Sequence, residues 1–141
     1  MRTTPPPWDA PRDAVANIEE ANLVAEPLDT TTNQRITSLE VVVDGDPVEV
    51  PANIGIDRIR ALQAAAHTHN ASGEVWLEGT EAPTVTLGQF FTLWGVRFDD
   101  DCLGSFCGTI EVTADGSPVT DPAGLVLAET RAVRVEARSD N

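Results

Sequence analysis

The sequence predicts an α+β fold in which a mostly antiparallel sheet, arranged as a β roll or a β-grasp-like sheet, packs against one amphipathic helix over residues 86–95. Two segments in which apolar and polar residues alternate around turn residues predict β-hairpins at 36–50 and at 109–137. Between them, four large apolar residues recur at helical spacing. An immunoglobulin-like β-sandwich is the alternative arrangement of the same strands.

Residues 1–34 are expected to precede the domain as a proline-rich lead-in, a short helix and a linker. The first eight residues or so are expected to be extended and mobile. Asp9 is expected to cap a helix that runs from about residue 11 to residue 22. A single globular α+β domain is then predicted to span residues 35–138.

The first hairpin is predicted from strict alternation between Ile36 and Val43, followed by the turn residues Asp44–Pro47 and a short return strand. A further strand is expected at 73–78, where Val75 and Leu77 share a face. For residues 56–66 the pattern leaves two alternatives open, namely one or two helical turns or an irregular loop.

The helix is predicted from one apolar stripe at positions i, i+3, i+4 and i+7, formed by Leu87, Phe90, Phe91 and Trp94. Its start is marked by Thr86 and Gln89, which have the spacing of a capping box. Gly95 suits the left-handed position that ends a helix. The second hairpin follows, with strands at 109–114 and at about 131–137 and turn chemistry between them.

Composition and charge exclude several classes of function. The 141 residues are 41% hydrophobic and 23% charged, which is typical of a globular protein. Acidic residues number 23 against 9 basic ones, for a net charge of −14, so a basic face for nucleic acid is excluded and binding to anionic lipid is disfavoured. All basic residues are arginine, which excludes lysine chemistry. No apolar run is long enough for a transmembrane segment.

The two histidines, His67 and His69, are the candidate metal ligands. Side chains two apart on an extended segment project to one face, where two imidazoles suit copper, zinc or nickel. A tight site needs further ligands from elsewhere in the chain or from a partner. The alternative is that both histidines only hydrogen-bond within a turn shaped by Asn70, Ser72 and Gly73. Neither histidine has an obvious serine or cysteine partner nearby in sequence, so a catalytic triad is unsupported.

The two cysteines, Cys102 and Cys107, are predicted to form one structural disulfide, closed by a bend at Gly104. A disulfide favours an exported location. The alternative is that the thiolates join the histidines around a metal.

The acidic run of Asp99, Asp100 and Asp101 lacks the spacing of a calcium loop and is predicted to be a solvated turn. Together with Asn70 and Ser72, these aspartates are candidate contacts for a partner.

Two motifs carry a family resemblance. The run HTHNASG at 67–73, followed by TLGQFFTLWG at 86–95, resembles an uncharacterised extracytoplasmic family of actinobacteria and other prokaryotes with HTHDxSG-like and TLGQFFxxWG motifs. The resemblance implies a secreted or membrane-anchored domain with a histidine cluster, but no named activity. Relatives carry histidines in an alternating run where this chain has Gln34, Ile36 and Ser38, and that departure weakens the implied metal site.

These observations predict an extracytoplasmic, non-enzymatic binding or interaction module that holds copper or zinc weakly through the loop of His67 and His69. The first alternative is a purely structural or protein–protein interaction domain without metal, working in an anchored complex or with a free partner. An enzyme of unidentified chemistry ranks last, because no nucleophile–base pair or phosphate loop is recognisable.

Overall fold

A computed structural model describes residues 1–139 and has an α+β architecture, as predicted. The helices are α1 (Ala14–Glu20), α2 (Leu87–Trp94) and a single 3₁₀ turn at Leu127–Glu129. The strands are β1 (Glu26–Pro27), β2 (Arg35–Val43), β3 (Asp46–Val48), β4 (Ile56–Asp57), β5 (Leu62–Gln63), β6 (Ala66–His67), β7 (Glu74–Leu77), β8 (Cys102–Leu103), β9 (Phe106–Ala114), β10 (Ser117–Pro118) and β11 (Ala132–Ser139).

The main sheet has the strand order β10-β9-β11-β2-β7-β6, with β3 added to β2 and β8 added to β9. Strands β2 and β11 run parallel, with Ala132 beside Ser38 and Ala137 beside Val43, and the other pairings are antiparallel. The sheet is therefore mostly antiparallel, as predicted, and both hairpins are confirmed. A smaller antiparallel sheet has the order β1-β5-β4.

The core lies between one face of the main sheet and α2. Alternate residues of the long strands supply it from one side, and all four residues of the predicted apolar stripe supply it from the other. The capping box is formed, since Thr86 accepts a hydrogen bond from the Gln89 amide and Gln89 Oε1 accepts one from the Thr86 amide. Gly95 ends the helix with φ of 75°.

Two local expectations are corrected. Residues 56–66 form the hairpin of β4 and β5 and enter β6, so the helical alternative is wrong. The reason is that Asp57 Oδ1 accepts the Arg60 amide and Ala61 takes φ of 56°, which closes a tight turn before a helix can propagate. Helix α1 is shorter than expected and is capped by Asp13, not Asp9, because the Asp13 carboxylate accepts the Ala16 amide.

The segment before residue 35 belongs to the same core, unlike the extended lead-in that the prolines suggested. Trp8 is only 2% exposed and meets the Trp94 ring edge-on at 5.7 Å. The Trp94 indole N–H donates to the Trp8 carbonyl at 2.9 Å, and the Arg2 amide donates to the Gly95 carbonyl. The buried Trp8 ring and these two hydrogen bonds attach the proline-rich segment to the core. Among residues 1–139, no helix combines the length and hydrophobicity needed to cross a bilayer.

We expect Trp8→Ala to lower the free energy of unfolding by about 3–5 kcal/mol, because it leaves a cavity against Trp94. Urea denaturation followed by circular dichroism measures the change. Ile59→Ala serves as the control, since Ile59 is 98% exposed and its loss should cost less than about 0.5 kcal/mol. Equal stability of the two variants would show that the N-terminal segment does not contribute to the core.

Candidate metal centre

The candidate centre forms where β6 and β7 meet at the end of the main sheet. His67 pairs with Trp76 across the two strands, and paired residues share a face. Glu78 follows Trp76 by two positions and therefore lies on the same face, as does His69 relative to His67. Strand pairing thus brings both histidines and a glutamate from 11 residues away together.

His67 is completely buried and held at both ring nitrogens. Its Nδ1 lies 2.9 Å from the Ala64 carbonyl oxygen, and its Nε2 lies 3.0 Å from Glu78 Oε1. Because a carbonyl oxygen only accepts, Nδ1 carries the hydrogen, and Nε2 of the neutral ring points a lone pair at the carboxylate. Two acceptors at this distance need a cation between them, either a proton or a metal ion.

Burial decides which form of the imidazole is favoured. Removal from water lowers the pKa of His67, and the hydrogen bonds to Ala64 and Glu78 oppose this only in part. The neutral ring, which is the form that ligates metals, is therefore favoured near neutral pH.

His69 extends the cluster of rings from the buried His67 to the surface. Its side chain is 40% exposed, and its ring meets those of His67 and Trp76 edge-on at 4.9 and 5.1 Å. Its Nε2 lies 4.0 Å from Glu78 Oε1. The two imidazoles are therefore adjacent, and His69 gives the site its access to solvent.

Glu78 is the third member of the site, and the sequence pattern alone did not single it out. One ligand atom from each of His67, His69 and Glu78 lies within 4.8 Å of the others. Glu78 is 5% exposed, and its second oxygen, Oε2, accepts a hydrogen bond from the Gln34 amide group at 2.9 Å. In the sequence, Glu78 alternates with Trp76, which places the two on one face of a strand. This alternation identifies Glu78 as a neighbour of His67 only when β6 is known to pair with β7.

The donor set is typical of zinc and copper. Two imidazole nitrogens and one carboxylate oxygen match the ligands of three-coordinate protein sites that keep a further position for water or substrate. The separations of 3.0 and 4.0 Å between Glu78 Oε1 and the two histidine nitrogens bracket the roughly 3.3 Å that tetrahedral zinc imposes on neighbouring ligands.

Asn70 and Ser72 shape the turn that follows the histidines. Asn70 Oδ1 accepts the Ser72 amide at 3.0 Å, and Ser72 Oγ accepts the Glu74 amide at 3.3 Å. Gly73 has φ of 89°, and a Cβ there would lie 2.7 Å from the Leu39 carbonyl oxygen. Neither Asn70 nor Ser72 belongs to the ligand group, and their role as partner contacts stays a prediction.

The predicted disulfide is confirmed. Cys102 and Cys107 face each other across the β8–β9 hairpin with an S–S distance of 2.08 Å, and Gly104 supplies the bend with φ of 58°. Because both sulfurs are bonded to each other, the alternative in which thiolates join the histidines around a metal is wrong for this structure.

The acidic run divides into one half-exposed carboxylate that is hydrogen-bonded and two exposed ones. Asp99 Oδ1 accepts the amides of Asp101 and Cys102, each at 2.9 Å, and Oδ2 accepts Arg97 Nε at 2.9 Å. These bonds, led by the Asp101 amide, lower the pKa of Asp99. Asp99 therefore fixes the start of the disulfide hairpin, whereas Asp100 and Asp101 are exposed, as a solvated turn requires.

Comparisons with protein families, with curated proteins and with solved structures found no match for this chain. The family resemblance of the two motifs stays a prediction.

We expect replacement of both Cys102 and Cys107 by alanine to lower the free energy of unfolding by roughly 2 kcal/mol, because a disulfide across a sequence separation of 5 restricts the unfolded chain. Urea unfolding with and without dithiothreitol measures this. The reductant should destabilise the parent by a similar amount and leave the double variant unchanged. A parent insensitive to complete reduction would contradict the prediction.

We expect Asp99→Ala to lower the free energy of unfolding by roughly 1 kcal/mol at neutral pH, because three donors lose their acceptor. A lowered pKa means that this contribution is complete above about pH 4, the usual value for aspartate, and is lost as the pH falls through the lower native value. Urea unfolding should therefore give a difference from the parent that shrinks as the pH falls from about 5 to about 2. Asp100→Ala is the matched control and should change little; an Asp99 effect that grows in acid would refute this role.

Proposed function

We propose that this chain is an extracytoplasmic, non-enzymatic domain that binds one divalent transition metal ion, zinc or copper, through His67, His69 and Glu78. The observation that carries the proposal is the convergence of three ligand atoms within 4.8 Å of one another, with His67 Nε2 and Glu78 Oε1 only 3.0 Å apart. A metal ion bound by these two atoms avoids the cost of burying an imidazolium ion.

The groups around the ligands support the proposal. Histidines that bind metals usually donate their second N–H to a carbonyl or carboxylate, as His67 Nδ1 does to Ala64. Ligating carboxylates are usually hydrogen-bonded as well, and Gln34 fills that role for Glu78. With Oε2 engaged by Gln34, Glu78 presents Oε1 alone to the site. This suits the small coordination number of zinc or copper better than the many oxygens that calcium requires.

The same arrangement explains why we expect binding and exchange of an ion more than catalysis. One ligand is exposed, so the ion enters and leaves past His69 without local unfolding. The exported location is supported by the disulfide, since such bonds persist in oxidising compartments. The motif resemblance points to the same secreted or anchored setting.

Within the α+β class, we also propose the β roll or β-grasp-like arrangement over the immunoglobulin-like sandwich. A sandwich buries its core between two sheets, whereas here α2 supplies the aromatic side chains that the main sheet packs against.

The test is calorimetric titration of the parent with Zn²⁺ and separately with Cu²⁺, beside the variants His69→Ala and Glu78→Gln. We expect a single site with a dissociation constant near micromolar or tighter and a loss of at least about tenfold in each variant. Glu74→Gln is the matched control, because Glu74 begins the strand that ends just before Glu78 and lies outside the ligand group. Gln34→Ala should weaken binding by about 10–100-fold while leaving the urea midpoint in a chelator unchanged.

Quenching of Trp76 fluorescence by Cu²⁺ gives an independent readout, since this ring touches His69. Parent and His69→Ala proteins that titrate identically would refute the metal site. The chain would then be a structural or protein–protein interaction domain in which the histidines only stabilise the β6–β7 junction.

A further inference from the structure

A groove of about 580 Å³ crosses the main sheet away from the metal ligands. Its floor includes Ser38, Thr113 and Ala132, whose short side chains leave the sheet uncovered. Ala132 lies beside Ser38 on β2, and Thr113 lies on β9 across from Arg134 of β11, so the floor spans three neighbouring strands. The volume falls within the roughly 300–1,000 Å³ of ordinary binding sites.

At one end, the groove opens into a gap along the edge of β2. Strand β7 pairs with β2 as far as Ser38, and the Leu39 amide donates to the Gly73 carbonyl. Strand β3 pairs with β2 from Val41 onwards, so the gap is one residue long, at Glu40. The chain segments 47–50 and 71–73 flank this gap and line the groove. The apolar residues of the first segment give one side of the gap a hydrophobic wall.

The charged groups of the groove are predominantly acidic. Glu40 and Glu49 line it, together with the single cation Arg134. Arg134 is already engaged, since its guanidinium donates to Glu40 at 2.6 Å and to Glu136 at 3.2 Å. One guanidinium shared among these carboxylates leaves an excess of negative charge, and the net charge of −14 adds to the attraction for cations.

We propose that this groove binds an extended, cationic peptide segment of a partner protein. Three strands at about 4.8 Å spacing plus the gap give a path of roughly 15 Å, which four or five extended residues fill at about 3.3 Å each. Basic side chains of the segment pair with Glu40 and Glu49, and its apolar side chains contact the wall at 47–50. The short floor residues let the peptide backbone approach the sheet closely.

The segment 71–73 lines the groove and follows His69 closely in sequence. The docking proposal does not depend on the metal, because none of the three ligands lines the groove.

The test uses a fluorescein-labelled hexapeptide of alternating arginine and valine, and the same peptide with glutamate in place of arginine. Fluorescence anisotropy with the chelator-treated protein should show binding of the arginine peptide at about 10–100 μM in low salt, and none of the glutamate peptide. Ala132→Trp should abolish binding by filling the floor, since Ala132 is exposed and tryptophan is tolerated in strands. Glu49→Gln should weaken binding roughly fivefold.

Two control variants separate docking from general attraction to an acidic protein. Glu129→Gln removes the same charge outside the groove, and Thr109→Trp adds the same ring to an exposed strand position outside it. Both should change the affinity less than about twofold. Equal weakening by Glu129→Gln and Glu49→Gln, or retained binding in Ala132→Trp, would overturn the proposal. Complete competition by spermidine at the same concentration would also overturn it, because the groove would then select small polyamines.

Discussion

The pairing of β2 on both of its edges is the constraint on which the rest of the molecule depends. On one edge β2 runs parallel to β11, the last strand described, and on the other it pairs with β7 and β3. Parallel neighbours require a long connection, and here that connection contains α2 and its aromatic side chains. Closing β2 against β11 therefore encloses the core and brings residues almost a hundred positions apart into contact.

The two faces of β2 separate the core from the candidate metal centre and the groove. Leu39, Val41 and Val43 point into the core and are nearly inaccessible to water. The intervening residues point the other way, where Gln34, just before the strand, reaches Glu78, and where Ser38 and Glu40 line the groove. A one-residue change in register would exchange the two sets, so the buried face also fixes the placement of the candidate metal centre and of the groove.

The contact between His67 and Glu78 shows how polar groups are used inside this fold. Buried ionisable groups are costly unless they are satisfied, and no buried side-chain nitrogen or oxygen among the described residues lacks a hydrogen-bond partner. The surface follows a different rule, because the ion pairs of Arg134 and Arg138 on the open sheet face are exposed and contribute little to stability. Their effect is to place the few cations of an acidic chain among carboxylates, which leaves the groove negative.

Local chemistry was sufficient to predict several parts of the structure that depend on neighbours in sequence. The capping box at Thr86, the turns at Asp44–Pro47 and Asp115–Pro118, and the disulfide between Cys102 and Cys107 all involve residues at most five apart, and each is present as predicted. Alternation and helical spacing also identified the α+β class, because they report which face of an element is buried. The hairpin of β4 and β5 was missed because the turn at Ala61 requires a positive φ at a residue that does not favour it.

Only the tertiary structure determined which residues far apart in sequence are neighbours in space. It placed Trp8 against Trp94, although a proline-rich start resembles a tether in composition. It added Glu78 and Gln34 to the two histidines, and it left the floor of the groove uncovered where strands from three parts of the chain meet. The physical reason is that sequence patterns carry the periodicity of single elements, whereas a binding site depends on the register between strands, which is set only when the whole core closes.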